Sequence, residues 1–397
     1  MNIKELLLFS YVFIIYFYYI IDYSFFILNG IGLLFSFIII LDIFLKKRPI
    51  KINFFLVLLF ANILLFVFSY FWSIDQSEAF SIIRIVISIF IFSVFLYNYI
   101  DETRKIERIL FYFVINALLI SSYALIMFDY SKFGLRRFDI AGNPNHISIL
   151  VFIAFCISFY FIFKKKRYLY FVLWPFYITF ILFGGSRKVI FGIIISIVLM
   201  AILENIENPK RIIKTGILFV LLLLGFHQTI TNVEMLEPTY NRMNNLVNSI
   251  TSKNVSDGSL NERNIMTKYG IEYISEKPLI GHGVGQYREI FASEAVVGRE
   301  TYSHNNFIEL GVNNGLLGLI LFYFLYFYIF YQFIKYGLVR DYLSKVMIIL
   351  LSCIFVFGYG QVQYYSEEYY ILLIITAKLI YLHKSTTYDK RKKIKSM

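Results

Sequence analysis

Three stretches, Ser24 to Leu45, Ile52 to Trp72 and Gly311 to Phe333, each run for about a bilayer thickness with almost no charge. Similar stretches recur from one end of the chain to the other, and this leaves few ways to fold. In lipid every backbone N–H and C=O must find its partner inside the protein, so stretches of this length are read as transmembrane helices. A water-soluble protein is excluded. With 59% hydrophobic, 20% aromatic and only 16% charged residues, the chain has too little charge to cover a water-facing surface.

Cutting the chain at its charge clusters predicts an all-α integral membrane protein of twelve transmembrane spans, at about 5–21, 24–45, 52–72, 79–100, 108–128, 145–163, 167–184, 188–204, 212–228, 305–334, 346–360 and 367–383. Lys4 is followed by an apolar run without a small-residue cleavage site, which predicts a retained first helix rather than a removed signal peptide. Both cysteines, Cys156 and Cys353, lie in apolar stretches, so neither a disulfide framework nor a Cys-rich metal site is expected.

The net charge of +12 is explained by orientation rather than by a nucleic-acid partner. Cytoplasmic loops of membrane proteins carry the excess Lys and Arg. If the N-terminus is inside, 24 of the 38 basic residues fall on inner segments, including Lys46 to Arg48, Lys164 to Arg167 and the tail from Lys384. The short outer loops hold five: Lys132, Arg136, Arg137, Arg187 and Lys188. Both termini are therefore expected in the cytoplasm. One outer segment, 229–303, is longer than an idle connection needs and carries Pro238, Pro278 and several glycines, with a helical pattern at Asn261 to Ser275. The expected organisation is a membrane domain over 1–228, an extracytoplasmic loop domain over 229–303, a second membrane part over 304–383 and a basic cytoplasmic tail over 384–397.

The unusual polar residues gather at outer ends of spans, where packing does not explain them. The first cluster is Arg136, Arg137, Gly142, Asn143, Pro144, Asn145 and His146; Pro144 suits a helix start and either asparagine can cap it. The paired arginines sit where positive charge is normally avoided. The second is Gly184-Gly185-Ser186-Arg187-Lys188, a glycine break that leaves a guanidinium at the membrane boundary. Arg187 either snorkels or offers a bidentate fork to phosphate oxygens, with Ser186 capping the next helix. The third runs from Asn261-Glu262-Arg263 through Lys277-Pro278-Leu279-Ile280-Gly281-His282-Gly283-Val284-Gly285 to Tyr302-Ser303-His304-Asn305-Asn306-Phe307-Ile308-Glu309-Leu310 and Asn314-Gly315-Leu316-Leu317-Gly318. Arg84, a few residues inside the outer end of the fourth span, is costly there unless paired or hydrated. It either meets a ligand's charge or snorkels.

The Ser-Arg after a glycine break, the Pro-x-x-Gly-x-Gly-x-Gly stretch late in a long outer loop, and the His-Asn-x-hydrophobic-x-Glu run leading to Gly-Leu-Leu-Gly together resemble the O-antigen ligase and polymerase family. The resemblance implies a C-type, all-helical glycosyltransferase taking glycan from an undecaprenyl diphosphate carrier at the outer face of the bacterial cytoplasmic membrane. By similarity His304 matches the family's loop-end histidine, Arg187 its Ser-Arg arginine and Arg263 the arginine upstream of the glycine-rich stretch. Arg136, Arg137, Arg84, Arg288, Arg299 and Asn305 are further substrate-binding candidates. The extra His282 departs from the pattern and reads as a turn residue.

The chemistry agrees with that reading. Breaking a sugar–phosphate bond releases negative charge and calls for electrostatic stabilisation, which arginines provide. The attacking hydroxyl must lose a proton, and a histidine at a half-wet boundary has a suitable intrinsic pKa. Glu309 lies five residues after His304, about 140° round a helix, and is expected to support the neighbouring face rather than pair with it. No compact acidic cluster accompanies His282 and His304, so neither metal nor cofactor is expected. The expected partners are the lipid-linked oligosaccharide, a glycan or lipid-linked acceptor, membrane lipid and a chain-length regulator. A capsular or O-antigen repeat-unit polymerase leads; a ligase differs only in acceptor. A flippase would instead spread ionisable groups at mid-membrane on broken helices, and a scaffold leaves Arg187, Arg263 and His304 on one side unexplained.

Overall fold

The computed structural model describes residues 2–128, 143–205, 208–232, 237, 240, 241, 244, 245, 258–293 and 301–395. Among them there is no strand, and a helix lies over each of the twelve apolar stretches. These are α1 (Ile3–Tyr16), α2 (Ser24–Leu45), α3 (Phe54–Ser69), α4 (Gln76–Tyr99), α5 (Thr103–Met127), α6 (Pro144–Phe159), α7 (Leu173–Gly184), α8 (Arg187–Glu204) and α9 (Pro209–Asn232). After them come α10 (Gly258–Glu276) and α11 (Tyr287–Ser293), then α12 (Asn306–Lys335), α13 (Tyr342–Phe357) and α14 (Glu367–Lys395). Among the described residues seven helices, over Ser24–Leu45, Phe54–Trp72, Gln76–Tyr99, Thr103–Met127, Pro144–Lys164, Asn306–Lys335 and Tyr342–Gly360, are long and apolar enough to cross a membrane; Tyr168–Gly184 is apolar but shorter.

Short polar side chains mark the helix starts. Asn2 and Glu5 form a capping box on α1, Asn53 caps α3, Asp75 caps α4, and Asp341 caps α13. Each satisfies N–H groups that a helix start leaves open. At the centre stands α6, whose side chains from Ile147 to Phe159 are all buried. On the outside, α2 turns Phe26, Leu33, Phe37, Leu41 and Phe44 outward. That apolar stripe is suited to lipid rather than water.

Ion pairs tie the basic segments together at one end of the bundle. Asp42 at the end of α2 holds both Lys4 and Lys46, Glu5 pairs with Arg108, Glu107 with Lys165, Glu204 with Lys345, and Asp341 with His383. The helix ends that carry Tyr16, Gly184, Arg187, Asn306 and Glu367 belong to the opposite end.

At that opposite end α12 breaks. Gly315 has φ 62° and ψ −161° inside the helix, a conformation that glycine alone adopts readily. The break is repaired by the glycine-rich segment before α11. Leu316 and Leu317 donate their N–H groups to Pro278 and Leu279 carbonyls at 2.8 and 3.1 Å, while the Val312 and Asn313 carbonyls accept from His282 and Gly283 N–H at 2.8 and 2.7 Å. Four backbone groups that the kink would leave open are thus paired within the protein, as an apolar surrounding demands. The approach is too close for side chains: a Cβ on Gly281, at φ 67°, would lie 2.5 Å from the Asn313 carbonyl. Asn313 Oδ1 also accepts from Tyr287 N–H, and its Nδ2 donates to the Tyr364 hydroxyl.

Candidate active site

α10 packs along the first turns of α12 through a small core of its own, Met266, Tyr273, Tyr287, Phe291, Ile308 and Val312. This contact fixes where Arg263, one turn before Met266, can reach. Arg263, Asn264 and Thr267 line a cavity of about 400 Å³. The cavity's opposite wall is the start of α8, where Gly185 takes a left-handed φ of 58° to end α7 and turn the chain at once into Arg187. A Cβ on Gly184 would meet the Ser148 hydroxyl at 2.7 Å, so α7 and α6 need glycine there. Ser186 occupies the N-cap position of α8 without making the expected side-chain cap, and its buried hydroxyl has no partner among the described residues. Arg187 is buried, only 8% exposed, yet lines the cavity with Lys188. Lys188 Nζ donates to the Gly360 carbonyl and to Gln361 Oε1.

His304 completes this wall. It is one of four non-glycine residues with positive φ among the described residues, at 55°, a conformation that costs energy and is kept where surroundings enforce it. The enforcing contacts are local. Ser303 N–H donates to Glu309 Oε2 at 2.8 Å, Ser303 Oγ donates to the Asn305 carbonyl, and Asn305 Oδ1 caps α12 by accepting from Phe307 and Ile308 N–H. Glu309 therefore holds the turn that carries the histidine, and Asn305 spends its side-chain oxygen on the helix cap. The His304 ring lies against Tyr302, with centroids 4.1 Å apart.

A second cavity of about 270 Å³ shares Asn145, Lys188, Arg263, His304 and Gly360 with the first and adds Arg288 and Tyr302. Burial pushes the Tyr302 hydroxyl above its ordinary range, against the pull of the Arg263 charge. The phenol therefore stays protonated and able to donate. Arg288 also lies 3.7 Å from Glu78 at the start of α4.

The structure thus brings Arg187, Arg263, His304 and Asn305 around one cavity and Arg288 to its neighbour. Arg84 lies elsewhere: it is exposed, donates to Ser81 and sits over the Phe25 and Phe80 rings. Arg136, Arg137 and Arg299 lie outside the described residues. His282 is buried in the turn that repairs α12, its Nε2 3.0 Å from the Tyr273 carbonyl. Sequence reading singled out the stretch from Tyr302 but gave that residue no role, and it missed the tie of Lys188 to Gly360 and the pairing of His146 with Glu368, which depend on contacts between distant segments. The only signals were a tyrosine two residues before His304 and a Glu-Glu pair opening the last span.

The chain is thus a multi-helix membrane protein in which two arginines, a lysine and a histidine line one cavity together with apolar side chains. Residues 176–323 match the O-antigen ligase family, from within α7 to the middle of α12, and this supports assigning the chain to the O-antigen ligase and polymerase family. The matched region contains Arg187, Arg263 and His304. Members of that family are glycosyltransferase-like enzymes acting on lipid-linked oligosaccharide and a glycan acceptor, and with the apolar helices the match points to the bacterial inner membrane. No curated protein matches the chain.

Proposed function

We propose that this protein polymerises undecaprenyl diphosphate-linked oligosaccharide at the outer face of the cytoplasmic membrane, and that Arg187 and Arg263 hold the diphosphate while His304 takes the acceptor's proton. The observation that carries this reading is the cavity itself. Its apolar lining of Phe191, Ile195, Val356 and Phe357 suits an isoprenoid chain, and Arg187, Lys188, Arg263 and His304 line the same cavity. Two negative charges need such partners at a membrane boundary.

In the reaction the acceptor hydroxyl oxygen attacks the anomeric carbon, and the bond from that carbon to the phosphate oxygen breaks. The electron pair leaves with the diphosphate, whose growing charge the arginines meet, and the hydroxyl proton passes to the imidazole of His304. Ligase-type transfer to another lipid or surface acceptor uses the same steps with a different nucleophile. The test is purified protein given the lipid-linked oligosaccharide extracted from cells that express it. A ladder of lengthening products supports polymerase; a single addition to a foreign acceptor supports ligase; movement of the lipid across vesicles with no new glycosidic bond contradicts both.

A further inference from the structure

The two cavities differ in chemistry although they share His304. The larger is lined by the apolar side chains of Phe191, Ile195, Val356 and Phe357 beside Arg187, Lys188 and Arg263, whereas the smaller keeps Lys188 and Arg263, adds Arg288, and is otherwise lined mainly by hydrogen-bonding side chains, among them Tyr19, Asn143, His146, Tyr302, Gln361 and Tyr365. A lipid diphosphate fits the first. The second offers what a sugar needs: aromatic faces beside donors and acceptors, with a histidine at the edge shared with the donor.

His146 is the least explained group in that cavity. It stands in the first turn of α6, half-buried, and its Nε2 is 3.1 Å from Glu368 Oε1 at the start of α14. Glu368 is 99% buried, and the Tyr19 ring lies edge-on to the imidazole with centroids 5.8 Å apart. An ionised carboxylate only accepts, so Nε2 is the donor in this pair, and in the neutral imidazole Nδ1 is then the acceptor. Nδ1 is buried and has no hydrogen-bond partner among the described residues. An orphaned acceptor on a residue that lines a polar cavity can take a donor from water or from a ligand.

Resting on the glycan-transfer reading, we propose that the smaller cavity is the acceptor-sugar subsite and that His146, oriented by Glu368, accepts a hydrogen bond from an acceptor hydroxyl at Nδ1. His146 is then a positioning residue for the nucleophile, and Arg187 belongs to the donor alone. The pairing of α6 with α14 makes acceptor affinity depend on two residues 222 positions apart in sequence.

The experiment separates donor from acceptor. Binding of undecaprenyl diphosphate without glycan is measured for the purified wild type, His146→Ala, His146→Asn and Arg187→Lys. In parallel, transfer is followed from the extracted lipid-linked oligosaccharide to the free oligosaccharide released from it by mild acid, with that free acceptor varied. His146→Ala should raise the acceptor KM on the order of tenfold, the loss of one buried hydrogen bond. Its kcat should stay within about threefold, and its binding of undecaprenyl diphosphate, which also reports a folded protein, should be unchanged. His146→Asn restores an acceptor atom close to Nδ1 and should recover part of the loss. Arg187→Lys should weaken undecaprenyl diphosphate and leave the acceptor KM alone. An unchanged acceptor KM in His146→Ala, or weakened undecaprenyl diphosphate binding in that variant, overturns the subsite assignment. A wild type that transfers nothing from the lipid-linked oligosaccharide defeats the glycan-transfer reading itself.

Discussion

His304 sits in a left-handed turn that three neighbours enforce, and this makes its position separable from its chemistry. His304→Ala should abolish surface polysaccharide while leaving the protein inserted and abundant, since the residue belongs to neither hydrophobic core. Normal polysaccharide in that variant, measured beside the protein's membrane level, rules out the proton-acceptor role. Glu309 acts one step back: Glu309→Gln keeps an oxygen for the Ser303 N–H and should retain most activity, whereas Glu309→Ala leaves that buried donor open and should lower it on the order of tenfold or more. Equal activity of the two variants in a transfer assay would contradict the positioning role. Arg187 and His304 stand out in the sequence because charged and polar groups at the ends of apolar spans have no packing reason to be there, whereas Arg263, within the long loop segment, stands out only through the family resemblance; the structure lines one cavity with all three. Tyr302 and the His146–Glu368 pair were not legible, because their meaning lies in contacts across the fold.

The glycine-rich segment and α12 form one unit at the scale of elements. The run from Pro278 to Gly285 contributes no side chain to either cavity; it closes the broken ladder of α12 and so holds His304 at the head of that helix. Gly281→Ala forces a side chain into a positive φ against the Asn313 backbone. It should destabilise the protein by about 2 kcal/mol or more, read as a lower Tm of the detergent-solubilised protein. An unchanged Tm would show that the clasp does not hold α12. Spacing alone reveals that such glycines make turns. It does not reveal that the carbonyls they approach belong to Val312 and Asn313, and this is why the segment reads as a motif before it reads as a repair.

Over the whole molecule the chain sorts charge by end. Lys4, Lys46, Arg108, Lys165 and Lys345 find acidic partners at one end, while the cavities open at the other. If the basic end is cytoplasmic, an impermeant thiol reagent applied to intact cells should label a cysteine at Ser275 and spare one at Lys47. Both native cysteines are buried and should stay silent. Labelling at Lys47 but not Ser275 would invert the molecule. The all-helical membrane character was legible because apolar stretches of bilayer length recur between basic clusters, and seven of the described helices are long and apolar enough to cross a membrane. Which ends meet which, and how the helix Gly258–Glu276 brings Arg263 to the cavity that Arg187 lines, follows from packing that no local pattern encodes.

The arginines test the central claim most directly. A guanidinium grips phosphate through fixed paired donors, whereas lysine offers a mobile point charge. The measurement is the initial rate of transfer from a synthetic undecaprenyl diphosphate oligosaccharide, in excess EDTA, for the wild type, Arg187→Lys and Arg263→Lys. The expected result is full wild-type activity and a loss on the order of 10²-fold or more in each variant. Full activity of both variants, or abolition of wild-type activity by EDTA with rescue by magnesium or manganese, would contradict a diphosphate held by these two residues.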